Sequence, residues 1–306
     1  MILLLNKMVK NMKQFSLSWE VKKEHNGILL REFLKLKELS KRALTDIKFQ
    51  GGKITVNGEE KTVRTMLKEL DLVQIYFPIE KPSEDLIAED IPFEIVYEDD
   101  AVLVINKPFG IPSIPSREHP NGTLANGLLF YYQTIGLQST IHIVTRLDKD
   151  TSGLMLIAKN RYIHYLFSKN ELKNVKRKYL AIVHGEMKNT EGVIRAKIAR
   201  KSDSIIERIV SEEGQEAITH YKVLLVNKDN SVVELELETG RTHQIRVHMS
   251  SIGHPLIGDD LYGGNTDRLK RQALHSYQLS FVHPIDYTEK NFEIALSADL
   301  ERLLKS

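Results

Sequence analysis

Between two apolar runs, 141–144 and 154–158, the chain carries Arg146-Leu147-Asp148-Lys149-Asp150-Thr151-Ser152-Gly153. This polar turn holds two cations, two carboxylates and two hydroxyls. A turn on a rigid sheet can hold such groups well enough to act on a substrate, and loops of this kind often carry catalysis. A carboxylate placed there offers nucleophilic attack, proton transfer or stabilisation of developing positive charge. The same residues also suit a plain loop in which Asp150 and Thr151 hydrogen-bond their own backbone ahead of Gly153, and the pattern alone leaves both readings open.

Two sharper chemistries fail on spacing. Asp148-Lys149-Asp150-Thr151 has its threonine one residue too early for the Asp-x-Asp-x-Thr loop of magnesium-dependent phosphoaspartyl enzymes, and no later acidic pair is placed to complete a metal site. Ser152 lacks the Gly-x-Ser-x-Gly setting of a nucleophile elbow. A second segment, Lys176-Arg177-Lys178-Tyr179-Leu180-Ala181-Ile182-Val183-His184-Gly185, runs from a basic cluster into a strand. Tyr179 there is either a core aromatic or a ring for stacking. A third is Thr239-Gly240-Arg241-Thr242-His243-Gln244-Ile245-Arg246-Val247-His248-Met249, continuing to Gly253-His254-Pro255-Leu256-Ile257-Gly258-Asp259. Gly240 ends a strand, Thr242 is expected to cap the next helix, and Arg241 falls at the corner between them. His243 and His248 are five apart rather than four, which is poor for a zinc pair and leaves packed, hydrogen-bonded histidines as the plainer reading.

These segments need elements to position them. Residues 13–80 read as a unit. Ile28, Leu29, Phe33, Leu34 and Leu36 recur at helical spacing, and a second helix is expected from Ser40, as cap, to Phe49. Gly51-Gly52 then breaks the chain, Lys53-Ile54-Thr55-Val56 alternates as a strand, Asn57-Gly58 signals a hairpin, and a return strand is expected near residues 72–76. Residues 81–91, acidic and flanked by Pro78 and Pro92, read as a linker. From 92 to 306, strand-like runs fall at 101–105, 142–144, 154–158, 179–183, 218–225 and 232–237. No regular strand–helix alternation joins them, so a mixed, mainly antiparallel α+β domain is expected rather than a doubly wound sheet.

Composition bounds the rest. The 306 residues are 42% hydrophobic and 27% charged, ordinary for a soluble globular protein of about two domains. The absence of cysteine excludes disulfides, thiolate catalysis and Cys-based zinc sites. Met1-Ile2-Leu3-Leu4-Leu5 is too short for a signal peptide and no later stretch has the length of a membrane span, so a cytoplasmic protein is expected. Met8 or Met12 as the true start would leave residues 1–11 as extra chain. The net charge is only +2, but residues 13–80 hold 13 Lys/Arg against 10 Asp/Glu, whereas residues 81–306 hold 28 against 31. Any electrostatic grip on phosphates is therefore expected to be local and to favour the N-terminal unit.

Arg-Leu-Asp-x-Asp-Thr-Ser-Gly, Arg-x-Tyr-x-Ala-x-Val-x-Gly and Gly-Arg-Thr-His-Gln-Ile-Arg-Val-His, in this order, resemble the RluA-type family of RNA pseudouridine synthases. Leu39-Ser40-Lys41-Arg42 with Gly51-Gly52-Lys53-Ile54-Thr55-Val56-Asn57-Gly58 resembles the S4 RNA-binding domain. Together the resemblances span residues 13–300. They depart from the families at Thr145, where a His usually precedes Arg-Leu-Asp, and at Leu30-Arg31-Glu32-Phe33-Leu34, where Arg-Leu-Asp is usual. The resemblance implies a pseudouridine synthase fold and an isomerase that needs neither cofactor nor metal, because the reaction is redox-neutral and needs no energy donor. It implies Asp148 as the catalytic carboxylate, Arg241 as its ion-pair partner, Tyr179 as base-stacking ring and possible proton acceptor, and Arg146 as the side chain that fills the space left by a flipped base. Lys41, Arg42, Lys48 and Lys53 become phosphate contacts of the S4-like domain, with solvated surface charge as the bland alternative. The implied partner is RNA, large-subunit ribosomal RNA first and tRNA second, bound by a monomer. A catalytically silent RNA-binding assembly factor is the competing class, and the intact Asp148, Tyr179 and Arg241 set argues against it.

Overall fold

The computed structural model describes residues 14–169 and 172–305, and the expectation about the chain start lies outside them. The first unit is a four-stranded antiparallel sheet of β1 (Ser16–Glu20), β2 (Lys53–Val56), β3 (Glu59–Glu60) and β4 (Leu72–Tyr76), in the order β1-β4-β2-β3. Two helices, α1 (Leu30–Leu36) and α2 (Lys41–Phe49), complete it. Ser40 caps α2 as expected, its Oγ accepting from the Ala43 N–H at 3.0 Å. Asn57 and Gly58 both have positive φ, 53° and 83°, which suits a two-residue turn between β2 and β3. Phe33, 1% exposed, joins Leu30, Leu34, Ile47, Ile54, Val73 and Ile75 in the core, and burying one such ring contributes about 2 kcal/mol. Leu36 departs from the expected apolar face and stands 60% exposed at the end of α1.

The second unit is built on a ten-stranded sheet. Its strands are β5 (Glu94–Glu98), β6 (Val102–Lys107), β7 (His142–Ile143), β8 (Ser152–Ala158), β9 (Val175–His184), β10 (Glu191–Arg195), β13 (Ile218–Val226), β14 (Asn230–Leu237), β15 (Leu274–Val282) and β16 (Glu289–Glu293). The main path runs β10-β13-β14-β9-β15-β8-β6-β5, with β16 on β15 and β7 on β8. Every pairing is antiparallel except β15 with β8, so the sheet is mixed and mainly antiparallel, as expected. Strands β11 (Ile198–Arg200) and β12 (Arg208–Val210) form a separate ribbon. The helices are α3 (Leu124–Thr134), α4 (Arg161–Ser168), α5 (Gln244–Ser251) and α6 (Ala298–Lys305). No described helix is long and apolar enough to cross a membrane.

Strand β8 is buried at all seven residues because apolar side chains cover both faces of the sheet. Leu154, Leu156 and Ala158 face one core cluster, while Met155 and Ile157 face another. Where β8 runs parallel to β15, Gly153 lies opposite Ser276 with φ +116°, and a Cβ there would fall 2.2 Å from the Ser276 carbonyl oxygen. The glycine closing the polar turn is thus demanded by close backbone approach.

The two units share packing. The Phe77 ring stacks on Tyr162 at 5.1 Å, the Tyr162 hydroxyl donates to the Lys37 carbonyl at 2.6 Å, and Lys169 pairs with Glu38. Residues 81–91, without helix or strand, are tied along α3: the Asn126 amide donates to the Ile87 carbonyl at 2.7 Å and the Gly122 N–H to Glu89 at 2.6 Å.

Candidate active site

The polar turn between β7 and β8 is held at the backbone of residues 147–151 and through the hydroxyls of Thr151 and Ser152, which leaves its charged side chains available. Ser113 Oγ donates to the Leu147 carbonyl at 2.6 Å, and Lys107 Nζ donates to the Lys149 carbonyl at 3.0 Å. Arg271 Nη1 donates to the Asp150 carbonyl at 3.0 Å, and the Thr151 N–H closes onto the Asp148 carbonyl at 3.1 Å. Leu147 points into the core, 7% exposed, so Arg146 and Asp148 on either side face outward into a cleft of about 520 Å³. Thr145, at the family's usual His position, is buried and accepts from the Leu156 N–H at 2.9 Å, a structural bond that fixes the entry to the turn.

Lys107 is fully buried. Besides Lys149 it donates to the carbonyls of Pro108 and Ile111, at 2.8 and 2.9 Å. Burial pulls its ammonium down to about 7, and the charges of Asp150 and Asp148 oppose that fall.

The structure corrects the ion-pair assignment. Arg246, not Arg241, faces the catalytic candidate, with Nη1 3.4 Å from Asp148 Oδ2. Its Nε and Nη2 grip the two oxygens of Asp259 at 2.7 and 2.8 Å, and its guanidinium lies over the Tyr262 ring at 4.9 Å. Burial lowers the Arg246 pKa, but the hydrogen bond to Asp259 and the charges of Asp148 and Asp259 outweigh it and raise the group above its ordinary value. It is therefore a permanent cation beside Asp148. Arg241 lines the same cleft but stays exposed, its Nε donating to the Glu216 carbonyl at 3.0 Å.

A local kink is the reason. His243, before α5, adopts a left-handed conformation, φ 57° and ψ 19°, which separates the direction of Arg241 from that of Arg246 in the first helical turn. Thr242 does not cap the helix. Gln244 Oε1 instead accepts from the Arg241 N–H at 2.9 Å and from Thr239 Oγ1 at 2.8 Å. His243 Nδ1 lies 2.8 Å from the Tyr262 hydroxyl, and its Nε2 lies 4.0 Å from Asp148 Oδ2. Burial lowers its pKa, which favours the neutral ring. His248 is the packed histidine expected from sequence, bonded to Thr219 Oγ1 at 2.8 Å and to the Ala196 carbonyl at 2.9 Å. No group of metal-ligating side chains occurs among the described residues.

Tyr179, 4% exposed on β9, lines the cleft. Burial raises its phenol pKa, Arg177 opposes the rise and Asp148 reinforces it, so the neutral phenol is favoured. Arg146 is exposed at the cleft mouth and makes no hydrogen bond or ion pair among the described residues. Lys41, Arg42, Lys48 and Lys53 lie apart from the cleft, exposed on α2 and at the start of β2, where Lys53 Nζ sits 4.5 Å from the Tyr76 ring centroid. Sequence reasoning missed Arg246, Asp259, His243 and Lys107 as site residues. The available signal was an arginine between Ile245 and Val247 in an apolar helix, which must find a carboxylate.

Residues 101–251 match the family model described as RNA pseudouridylate synthase. Similar proteins include the uncharacterized RNA pseudouridine synthase YjbO of Bacillus subtilis, 55% identical over 270 residues, covering 87% of this chain and 95% of that one. Another is the ribosomal large subunit pseudouridine synthase D of Zymomonas mobilis, 39% identical over 255 residues, covering 78% of this chain and 80% of that one. Among solved structures, human RNA pseudouridylate synthase domain containing 4 superposes with a TM-score of 0.56 at 26% identity, covering 69% of this chain and 93% of that one. With three motifs converging on one cleft and these relatives matching most of its length, the chain belongs to the RluA-type family of RNA pseudouridine synthases, which are isomerases.

Proposed function

We propose that this synthase isomerises a uridine in large-subunit ribosomal RNA in the cytoplasm, with Asp148 as its catalytic carboxylate. The observation that carries the reading is Asp148 on a backbone-clamped turn, 3.4 Å from the buried cation Arg246, beside Tyr179 in one cleft. The reaction breaks N1–C1′, turns the uracil and rejoins it through C5. A charged carboxylate facing the ribose can attack, stabilise oxocarbenium character or move a proton. Arg246 keeps Asp148 oriented while Asp259 keeps Arg246 in place, so the arrangement is preorganised.

Tyr179 is read as a stacking ring with a neutral phenol rather than a ready proton acceptor, since burial favours its protonated form. Arg146, free at the cleft mouth, is read as the group that enters the RNA stack when the target base leaves it. The unit at residues 14–80 is read as an S4-like module whose exposed Lys41, Arg42, Lys48 and Lys53 contact phosphates. The name of the Zymomonas relative supports the large-subunit target.

The test is direct. Asp148→Ala is expected to abolish pseudouridine formation while RNA affinity stays near wild type, and mapping of ribosomal RNA from a deletion strain is expected to show one or a few uridines left unmodified. Activity retained by Asp148→Ala would sink the catalytic assignment, and an unchanged ribosomal map with altered tRNA would move the substrate.

A further inference from the structure

Three arginines are buried among the described residues, and two of them are fully partnered. Arg246 holds Asp259 and faces Asp148, and Arg271 forks onto Asp299 at 2.7 and 3.0 Å. The third, Arg177, is 8% exposed, its Nε has no hydrogen-bond partner, and its guanidinium makes no ion pair among the described residues. It lies on β9 two residues before Tyr179, on the same face of the strand, and lines the same cleft. Gly240 forms the wall beside it, where a Cβ would come 3.0 Å from Arg177 Nη1. Glu238 lines the cleft too, but its Oε1 lies 2.5 Å from His220 Nε2 and it makes no ion pair with Arg177.

A buried guanidinium without a counter-charge is costly, and stable folds seldom keep one without use for it. Its missing partner must be an anion that reaches the cleft from outside. Given that RNA occupies this cleft, the phosphodiester is the anion that arrives, and a guanidinium fork matches two of its oxygens. We propose that Arg177 is a phosphate-binding residue of the active cleft, gripping a phosphodiester that flanks the flipped uridine. Uracil carbonyls could take single hydrogen bonds, but they would leave the charge uncompensated.

Ethylation interference tests this whichever uridine is the target. Large-subunit ribosomal RNA transcribed in vitro is ethylated sparsely at its phosphates and sorted by binding to the wild type or to Arg177→Met. The expected result is a loss of affinity of about tenfold or more, with one interfering phosphate, beside the modified uridine, vanishing from the variant's pattern. The salt slope of binding should fall by about 0.7. The free variant should melt no lower than wild type, because an unpaired buried charge has gone. If Arg177→Met does not fold, Arg177→Gln, polar but uncharged, is expected to lose the same phosphate. An unchanged interference pattern in a folded variant, with or without a uniform loss of affinity, overturns the proposal. Conversion of uridine by the wild type is scored in parallel: bound but unconverted RNA counts against the functional reading and leaves the phosphate assignment to the interference pattern.

Discussion

Arg241 and Arg246 line one cleft from one short segment, yet their replacement by Met should have opposite signatures. Losing Arg246 strips Asp259 of the fork that satisfies both of its oxygens at 2.7 and 2.8 Å, and leaves a carboxylate with 0% side-chain exposure and no cation. Breaking a buried pair from one side costs about 3–5 kcal/mol, which for a chain of this size lowers Tm by roughly 10 °C. Asp148 loses the cation 3.4 Å away at the same time. A reacting group left to wander should cost roughly 100-fold in kcat. Arg241→Met, by contrast, removes one hydrogen bond from an exposed side chain, worth about 1 kcal/mol, and should leave kcat near wild type while weakening RNA binding.

The assays are thermal unfolding and tritium release from C5-labelled uridine in RNA. A double variant, Arg246→Met with Asp259→Asn, separates the two consequences. Removing the orphaned carboxylate should recover most of the lost stability, while activity stays low because Asp148 still lacks its cation. Equal losses from Arg241→Met and Arg246→Met, or a double variant no more stable than Arg246→Met, would refute the reasoning.

Two other perturbations follow from the structure. Lys107 titrates near 7 when folded, against an ordinary value of 10.5, so between those limits the unfolded chain holds the extra proton and stability gains with rising pH; Lys107→Met should remove that gain, about 1 kcal/mol per pH unit at its steepest, as read by denaturant unfolding from pH 7 to 9.5. A variant with Lys41, Arg42, Lys48 and Lys53 all changed to Ala should bind RNA with a salt slope lower by up to about 3, whereas an unchanged slope in a filter-binding titration would leave those residues as plain surface charge.

Much of the fold was legible where local signals agree. Ser40 and the apolar spacing behind it define α2, and 154–158 is an apolar run of strand length because both faces of β8 are covered. Strands β1 and β15 were not legible. Ser16–Glu20 pairs only through the distant β4, and β15 carries an irregularity between Ser276 and Gln278 that breaks any clean alternation. The turn at residues 146–153 borders the cleft together with Tyr179, which its polar content alone had left open between a plain loop and a site. The error over Arg241 has a definite cause: a left-handed residue at His243 redirects the chain, and histidine carries no strong local preference that announces it. The solitary state of Arg177 was equally hidden, because it depends on Gly240 arriving alongside from another strand end.

Charge counting over whole segments also says little about the cleft. Residues 81–306 hold three more acids than bases, which suggested that the grip on phosphates would favour the N-terminal unit. The fold gathers Arg146, Arg177, Arg241 and Arg246 around one concave wall with Asp148 and Glu238, the latter with its Oε1 2.5 Å from His220. Beyond a Debye length of about 8 Å at physiological salt, scattered surface acids are largely screened, whereas a cleft with poorly hydrated walls concentrates the field of the groups that line it. The positive potential inside the cleft is therefore set by which side chains the turn at residues 146–153, β9 and α5 bring together, and the net charge of the domain says little about it. Within the cleft Arg246 is committed to Asp259, whereas Arg146 and Arg177 make no ion pair among the described residues and stay open to an incoming anion.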